Sequence, residues 1–206
     1  MIRRTLGKAF LKVTGWTLAG PQPSRDDTRI FVGAPHTSGF DSALMLAVAW
    51  RNDLQIRFLI KREVVDGPFG LFWRSVGGIS VDRENPAGLI DELIHMADSG
   101  HGFQLVLTPE GTRKPVEYWK SGFYRLGRAT GIPLMLVSPD KPTKTVTFAP
   151  PYLLTGDLPR DMEVIRAFLA DKHGVDPSKA REPRLRAEDD PAALAELTGP
   201  DTEATG

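Results

Sequence analysis

A histidine and an aspartate five residues apart open the chemistry of this chain, in Ala34-Pro35-His36-Thr37-Ser38-Gly39-Phe40-Asp41. Imidazole changes its protonation near neutral pH, and a carboxylate held on one ring nitrogen leaves the other free to act as a base. On one continuous helix, five residues amount to about 500° of turn, which leaves the two side chains roughly 140° apart. A bend at Ser38-Gly39 must fold them together. The pattern also has a plainer meaning, in which Asp41 caps a helix and His36 is a satisfied loop histidine, so a second motif must decide. Phe103-Gln104-Leu105-Val106-Leu107 runs straight into Thr108-Pro109-Glu110-Gly111-Thr112-Arg113, which sets a carboxylate, a glycine and a guanidinium just beyond a strand-like run. Glycine there lets a backbone approach a ligand closely.

Several elements must position these groups. Residues 29–33 are short, β-branched and apolar, which predicts a buried strand. Residues 41–50 are rich in Ala and Leu and carry neither Gly nor Pro, which predicts a helix. His36 therefore falls in a strand-to-helix corner at a carboxyl strand end, where open α/β sheets place ligand sites. Strands are also expected at 56–60, 79–81, 103–107, 133–137 and 143–148. Helices are expected from Pro86 to the glycine at 100, with Asn85 as cap, and at 117–130 and 161–172. Alternating strands and helices give a single α/β domain, with a central mostly parallel or mixed sheet and helices on both faces.

Four blocks in order resemble the glycerolipid acyltransferases, the 1-acylglycerol-3-phosphate (lysophosphatidate) acyltransferases and their relatives. The first is the H-x4-D of His36 and Asp41. The second, Gly78-Ile79-Ser80-Val81-Asp82-Arg83, is similar to the family's G-x-x-x-[DN]-R. Pro109-Glu110-Gly111-Thr112-Arg113 matches its P-E-G-T-R, and the run from Gly131-Ile132-Pro133 to Val137 looks like its [VI]-P-[VI]-x-P. Two letters depart from the pattern: Thr108 stands where the third block usually opens with Phe, and the second Pro of the fourth block is absent. The likeness spans roughly positions 29–150.

The resemblance implies transfer of a fatty acyl group from an acyl thioester, acyl-CoA or acyl carrier protein, to the hydroxyl of a lysophosphatidate-like acceptor. His36 would be the general base, and Asp41 would fix its tautomer. Arg83 and Arg113 would hold the acceptor phosphate, since a guanidinium offers paired N–H donors that an ammonium does not. Glu110, Gly111 and Thr112 complete the expected substrate-binding set, with Lys61 and Lys120 as secondary candidates. Backbone N–H groups at the glycine of the first or third block would steady the oxyanion. The thioester is a co-substrate, and neither a cofactor nor a metal is implied. The place implied is cytoplasmic, peripheral on the inner face of the cell membrane. Other hydroxylated lipid acceptors, a thioesterase in which water replaces the alcohol, and a lipid-binding protein without turnover remain as alternatives.

Composition narrows the rest. The 206 residues carry 26 Lys+Arg against 26 Asp+Glu, so no global charge argues for nucleic acid as a partner. Absence of cysteine excludes a disulfide framework and a thiolate nucleophile, and the 4 histidines are too scattered to suggest a metal cluster. Residues 1–20 read as a basic amphipathic helix: Ile2, Leu6, Phe10, Val13 and Trp16 recur at helical spacing beside Arg3, Arg4, Lys8 and Lys12, and no apolar run is long enough to span a bilayer. This helix is either an interfacial anchor or an ordinary helix packed on the domain. Phe69, Phe72 and Trp73 lie in a glycine- and aromatic-rich run that suits core, an acyl slot or a membrane surface. Residues 21–180 form the expected acyltransferase domain. Residues 181–206, acidic toward their end, are expected as a flexible tail, with a short docked helix possible at 192–197.

Overall fold

β2 (Arg29–Gly33) is the strand on which the computed structural model, describing residues 2–81, 86–98 and 102–198, is centred. Around it lie β1 (Thr17–Ala19), β3 (Arg57–Lys61), β4 (Gly78–Val81), β5 (Gln104–Leu107), β6 (Leu134–Asp140) and β7 (Thr145–Phe148). They form one 7-stranded sheet in the order β1-β7-β6-β2-β5-β3-β4. All pairs are parallel except β6 with β7. This is the expected single α/β domain with a mostly parallel sheet. Ile30, Phe31 and Val32 are almost wholly buried on both faces, as a central parallel strand requires.

Helices cover the two faces. α1 (Ile2–Thr14), α2 (Phe40–Arg51), α3 (Arg62–Val65) and α4 (Gly70–Ser75) precede α5 (Pro86–Asp98), α6 (Gly122–Thr130), α7 (Leu158–Leu169) and α8 (Pro191–Thr198). Phe31 packs with Leu44, Ala47 and Val48 of α2, on the face that also receives Leu11 of α1. Trp73 of α4 joins Leu46, Ala49 and Phe58 on that same side. Ile30 and Val32 point the other way, to Leu93 of α5, Phe123 and Leu126 of α6, and Met162 and Ile165 of α7. Burying each such side chain contributes about 1.5–3 kcal/mol, which is why strand alternation fixes the faces so firmly. α7 is tied down by buried Asp161, which accepts from the Tyr124 and Tyr152 hydroxyls, the Thr155 amide and hydroxyl, and the Gly156 amide.

The structure departs from expectation in four places. β1 was not expected; it is a three-residue strand parallel to β7. The run at 62–75, for which no element was expected, folds into two short helices. The helix expected from 117 starts only at Gly122, because Trp119 turns into the core: its amide donates to the Arg184 carbonyl (2.7 Å) and it bridges to Leu185. That contact also corrects the flexible tail expected from 181. Leu185 is completely buried, Ala187 nearly so, and α8 follows as a docked helix. Residues 199–206 lie outside the described residues. α1 packs on α2, where Gly7 admits the close approach: a Cβ there would stand 2.4 Å from the Ala47 carbonyl oxygen. No described helix is long and apolar enough to cross a membrane.

Candidate active site

β2 and β5 are adjacent and parallel, with Val32 opposite Leu107, so the first and third motifs leave the sheet side by side at its carboxyl edge. From there the chain after β2 enters α2 on one face, and the chain after β5 enters α6 on the other. Such a divergence opens a crevice between the two strand ends. His36 and Glu110 sit at its mouth.

The 34–41 corner is built around one oxygen. Asp41 Oδ2 accepts from His36 Nδ1 at 3.0 Å, the Thr37 amide at 2.8 Å and the Ser38 amide at 2.9 Å. The bend that five-residue spacing demanded is this loop, with a cis Ala34–Pro35 peptide before it. Two backbone donors on the same oxygen require it to be an acceptor, so Nδ1 carries a proton and Nε2 is the ring nitrogen left to exchange one. Among the described residues Nε2 has no hydrogen-bond partner. Only 18% of the His36 side chain and 10% of the Asp41 side chain are exposed, so the pair is little screened by water. Asp41 does not cap its helix, whose N-cap is Gly39 with no side-chain hydrogen bond; its carboxylate instead staples the preceding loop and holds the imidazole.

Glu110 supports the same loop from the neighbouring strand. Its Oε1 accepts the His36 amide at 3.0 Å. Burial pushes the Glu110 carboxyl up from its ordinary value, an effect only partly offset by the backbone N–H groups it accepts. Oε2 is buried without a hydrogen-bond partner among the described residues. Gly111 follows with φ +64, and the Lys120 side chain lies over it, 2.9 Å from where a Cβ would be. The Gly111 amide is already given to the Thr108 carbonyl at 2.9 Å, which leaves the first-motif side of the crevice for backbone donors to an oxyanion.

Cationic groups border the pair. Arg113 is exposed and reaches back across the crevice, its Nη1 2.9 Å from where a Cβ on Gly39 would stand. A methyl at 39 would displace this guanidinium. Lys120 joins it through the Gly111 contact, and its amide donates to the Pro109 carbonyl at 2.8 Å. Thr112 is a turn residue, its hydroxyl accepting the Lys114 amide at 3.3 Å. Lys61 is exposed at the end of β3, two strands from β2, so about 10 Å across the sheet. β4, which leads to Arg83, is the edge strand, about 14 Å from β2. Arg83 itself lies outside the described residues.

The sequence reading missed the clasp behind the loop. Thr37, almost fully buried, accepts the Val175 amide at 3.1 Å and the Asp176 amide at 2.9 Å on its hydroxyl. Gly174 presses on it so tightly that an added Cβ would lie 2.9 Å from Pro35 Cγ. No local signal marks a contact made across 138 residues of chain. A second His–Asp pair, His173 with Asp140 at 3.0 Å, closes the turn between β6 and β7 together with the Thr143 hydroxyl. The His173 side chain is 56% exposed and faces no crevice of the first motif's kind.

Comparison with known proteins agrees with the fold and gives the family. A family model described as Acyltransferase matches residues 16–138. The fold is similar to the crystal structure of the 1-acyl-sn-glycerophosphate (LPA) acyltransferase PlsC from Thermotoga maritima, with a TM-score of 0.54 and 18% identity, covering 79% of this chain and 74% of that one. No curated protein matches.

Proposed function

From the premise that this chain belongs to the acyltransferase family, we propose that it moves a fatty acyl group from an acyl thioester to the hydroxyl of a lysophosphatidate-like acceptor. The observation that carries the reading is the His36–Asp41 pair, locked by two backbone amides on the carboxylate and open at Nε2.

In the proposed reaction, Nε2 of His36 takes the proton of the acceptor hydroxyl as its oxygen attacks the thioester carbonyl. Asp41 faces the imidazolium that forms. Collapse of the tetrahedral intermediate breaks the C–S bond, and the departing thiolate takes the proton back from His36. General-base catalysis of this kind contributes about 10²–10⁴-fold, so orientation of the two substrates supplies much of the remainder. Arg113 would bind the acceptor phosphate, joined by Arg83 of the second motif and supported by Lys120. Glu110 would hold the His36 backbone, and Gly111 and Thr112 would shape the turn that carries Arg113. The thioester, from acyl-CoA or acyl carrier protein, is a co-substrate, and the chemistry as written uses no metal. Both substrates are lipids or carry lipid chains, which would place the protein peripherally on the cytoplasmic face of the membrane.

Mass spectrometry of products tests the reading directly. Palmitoyl-CoA and palmitoyl carrier protein are each offered with lysophosphatidate, with a neutral monoacylglycerol and with no acceptor. Phosphatidate formed from lysophosphatidate is the expected product. Free palmitate formed equally in all three arms would make the protein a thioesterase, and esterification of the neutral alcohol alone would move the acceptor to a different hydroxylated lipid.

A further inference from the structure

The outer side of the layer made by α1, α2 and α4 carries apolar side chains that the fold does not use. α3 and α4 make a tight knuckle after β3. Gly70 fits against the Val65 carbonyl, where an added Cβ would stand 1.8 Å from its oxygen. One side of the knuckle is core: Val65 is buried, and Trp73 packs edge-on against Phe58 at 6.1 Å. The other side is not. Leu71 is 84% exposed and Phe69 70%, with Phe72 and Val64 partly exposed beside them. An apolar tip left in water contributes nothing to folding, so contiguous ones mark a contact surface.

α1 meets this knuckle. The Arg3 guanidinium donates to the Ser75 carbonyl at 3.2 Å, and Leu71 lies one turn before Ser75 on the same side of α4. α1 turns its buried face, Gly7 and Leu11, toward α2, while Ile2, Leu6 and Val13 are exposed. Arg3, Arg4, Lys8 and Lys12 accompany them with no acid on the helix. On the knuckle Lys61, Arg62 and Arg74 outnumber Glu63 and Asp66, and Asp66 is already shared by Arg62 at 3.5 Å and Arg74 at 3.6 Å. Apolar tips from two elements are thus joined at Arg3–Ser75 and fringed by cations.

We propose that the α3–α4 knuckle is a second membrane-docking element, inserting Phe69 and Leu71 among the headgroups of an anionic bilayer beside α1. The cation fringe selects an anionic surface, and the tips project outward from α4 and the residue before it rather than lining a groove that a protein segment would fill. The choice of a bilayer rests on the lipid-acyltransferase reading. A protein held to a bilayer by one interfacial helix can roll about that helix; a second contact stops that. Because α3 begins at the carboxyl end of β3, the edge from which His36 also emerges, docking there holds the crevice toward the headgroup layer that contains the acceptor.

The absence of cysteine makes the test simple: Leu71→Cys and, as a control elsewhere on the surface, Leu153→Cys, 59% exposed, each labelled with an environment-sensitive fluorophore. With vesicles containing phosphatidylglycerol, the probe at 71 is expected to shift to the blue and be quenched by brominated lipid, while the probe at 153 stays aqueous. Phosphatidylcholine vesicles are expected to bind weaker by about fivefold for each cation engaged. The double variant Phe69→Asp, Leu71→Asp should lose at least about tenfold in vesicle partition, and keep its thiol release with detergent-dispersed acceptor. A probe at 71 that stays aqueous on vesicle-bound protein overturns the proposal, as does failure of the wild type to bind these vesicles, or a probe already shielded before vesicles are added. Insertion of residue 71 without any acyl transfer would support the docking surface and defeat the activity reading instead.

Discussion

Replacing Asp41 by Asn separates the charge of the carboxylate from its role as a loop staple. Oδ2 receives the Thr37 and Ser38 amides at 2.8 and 2.9 Å, so an asparagine must keep its carbonyl oxygen there; its NH2 would meet two donors. The imidazole stays aligned, with Nδ1–H still donating. What disappears is the negative charge facing the imidazolium in the transition state. Two unit charges 3.0 Å apart interact by about 5 kcal/mol at an effective dielectric constant of ~20, while a charge-assisted hydrogen bond exceeds a neutral one by about 2 kcal/mol or less. Asp41→Asn should therefore lower kcat by about 30- to 5,000-fold. KM should stay within about threefold, because the lost interaction is with charge that develops only in the transition state. Asp41→Ala should lose as much activity and also destabilise the fold by about 2 kcal/mol, since two loop amides lose their acceptor. Thiol release measured over substrate concentration, with thermal melts of each variant, separates these effects. A kcat for Asp41→Asn within threefold of wild type would refute the charge argument and leave Asp41 as a loop staple alone.

Other outcomes follow from the same geometry. Arg113→Ala should raise KM for a phosphate-bearing acceptor by about 10- to 100-fold and leave KM for a neutral alcohol unchanged, as one lost charge-assisted contact predicts; steady-state kinetics on the two acceptors checks it. Gly39→Ala should have the same signature in weaker form, because its methyl would stand 2.9 Å from the Arg113 Nη1 and push the guanidinium aside. The Glu110 carboxyl, raised by burial, binds its proton more tightly folded than unfolded, so its contribution to stability falls as pH rises from the ordinary carboxyl range through the raised value. Glu110→Gln keeps an acceptor for the His36 amide and removes that titration, so its melting temperature should decline less than wild type over this window. Asp161→Ala, which strips the acceptor from the buried Tyr124 hydroxyl and from the Thr155 and Gly156 amides, should cost about 3 kcal/mol in urea unfolding.

Much of this was legible in the sequence because the informative contacts are local. Arg29–Gly33 and Gln104–Leu107 are short apolar runs that could only be buried, and the residues just beyond them had to emerge together once the two strands paired. The His36–Asp41 bend is decided within six residues. Trp119 shows the limit: its run continues a helical apolar pattern, but Leu185, 66 residues later, draws it out of the helix and makes core of an expected tail. Thr37 carries no mark of the Gly174–Asp176 clasp for the same reason. The knuckle at 62–75 is a different case. Its glycine at 70 is placed for a contact with Val65, which only the folded turn reveals, and its aromatics divide between core (Trp73) and surface (Phe69) by a helical phase too short to read.

The central claim is that His36 activates the acceptor hydroxyl, and the measurement closest to it is thiol release from palmitoyl-CoA with and without lysophosphatidate, in wild type and in His36→Ala. The account predicts release that depends on the acceptor in the wild type and falls by about 10²–10⁴-fold in His36→Ala, with the melting temperature kept. Acceptor-dependent release that survives in His36→Ala would contradict it.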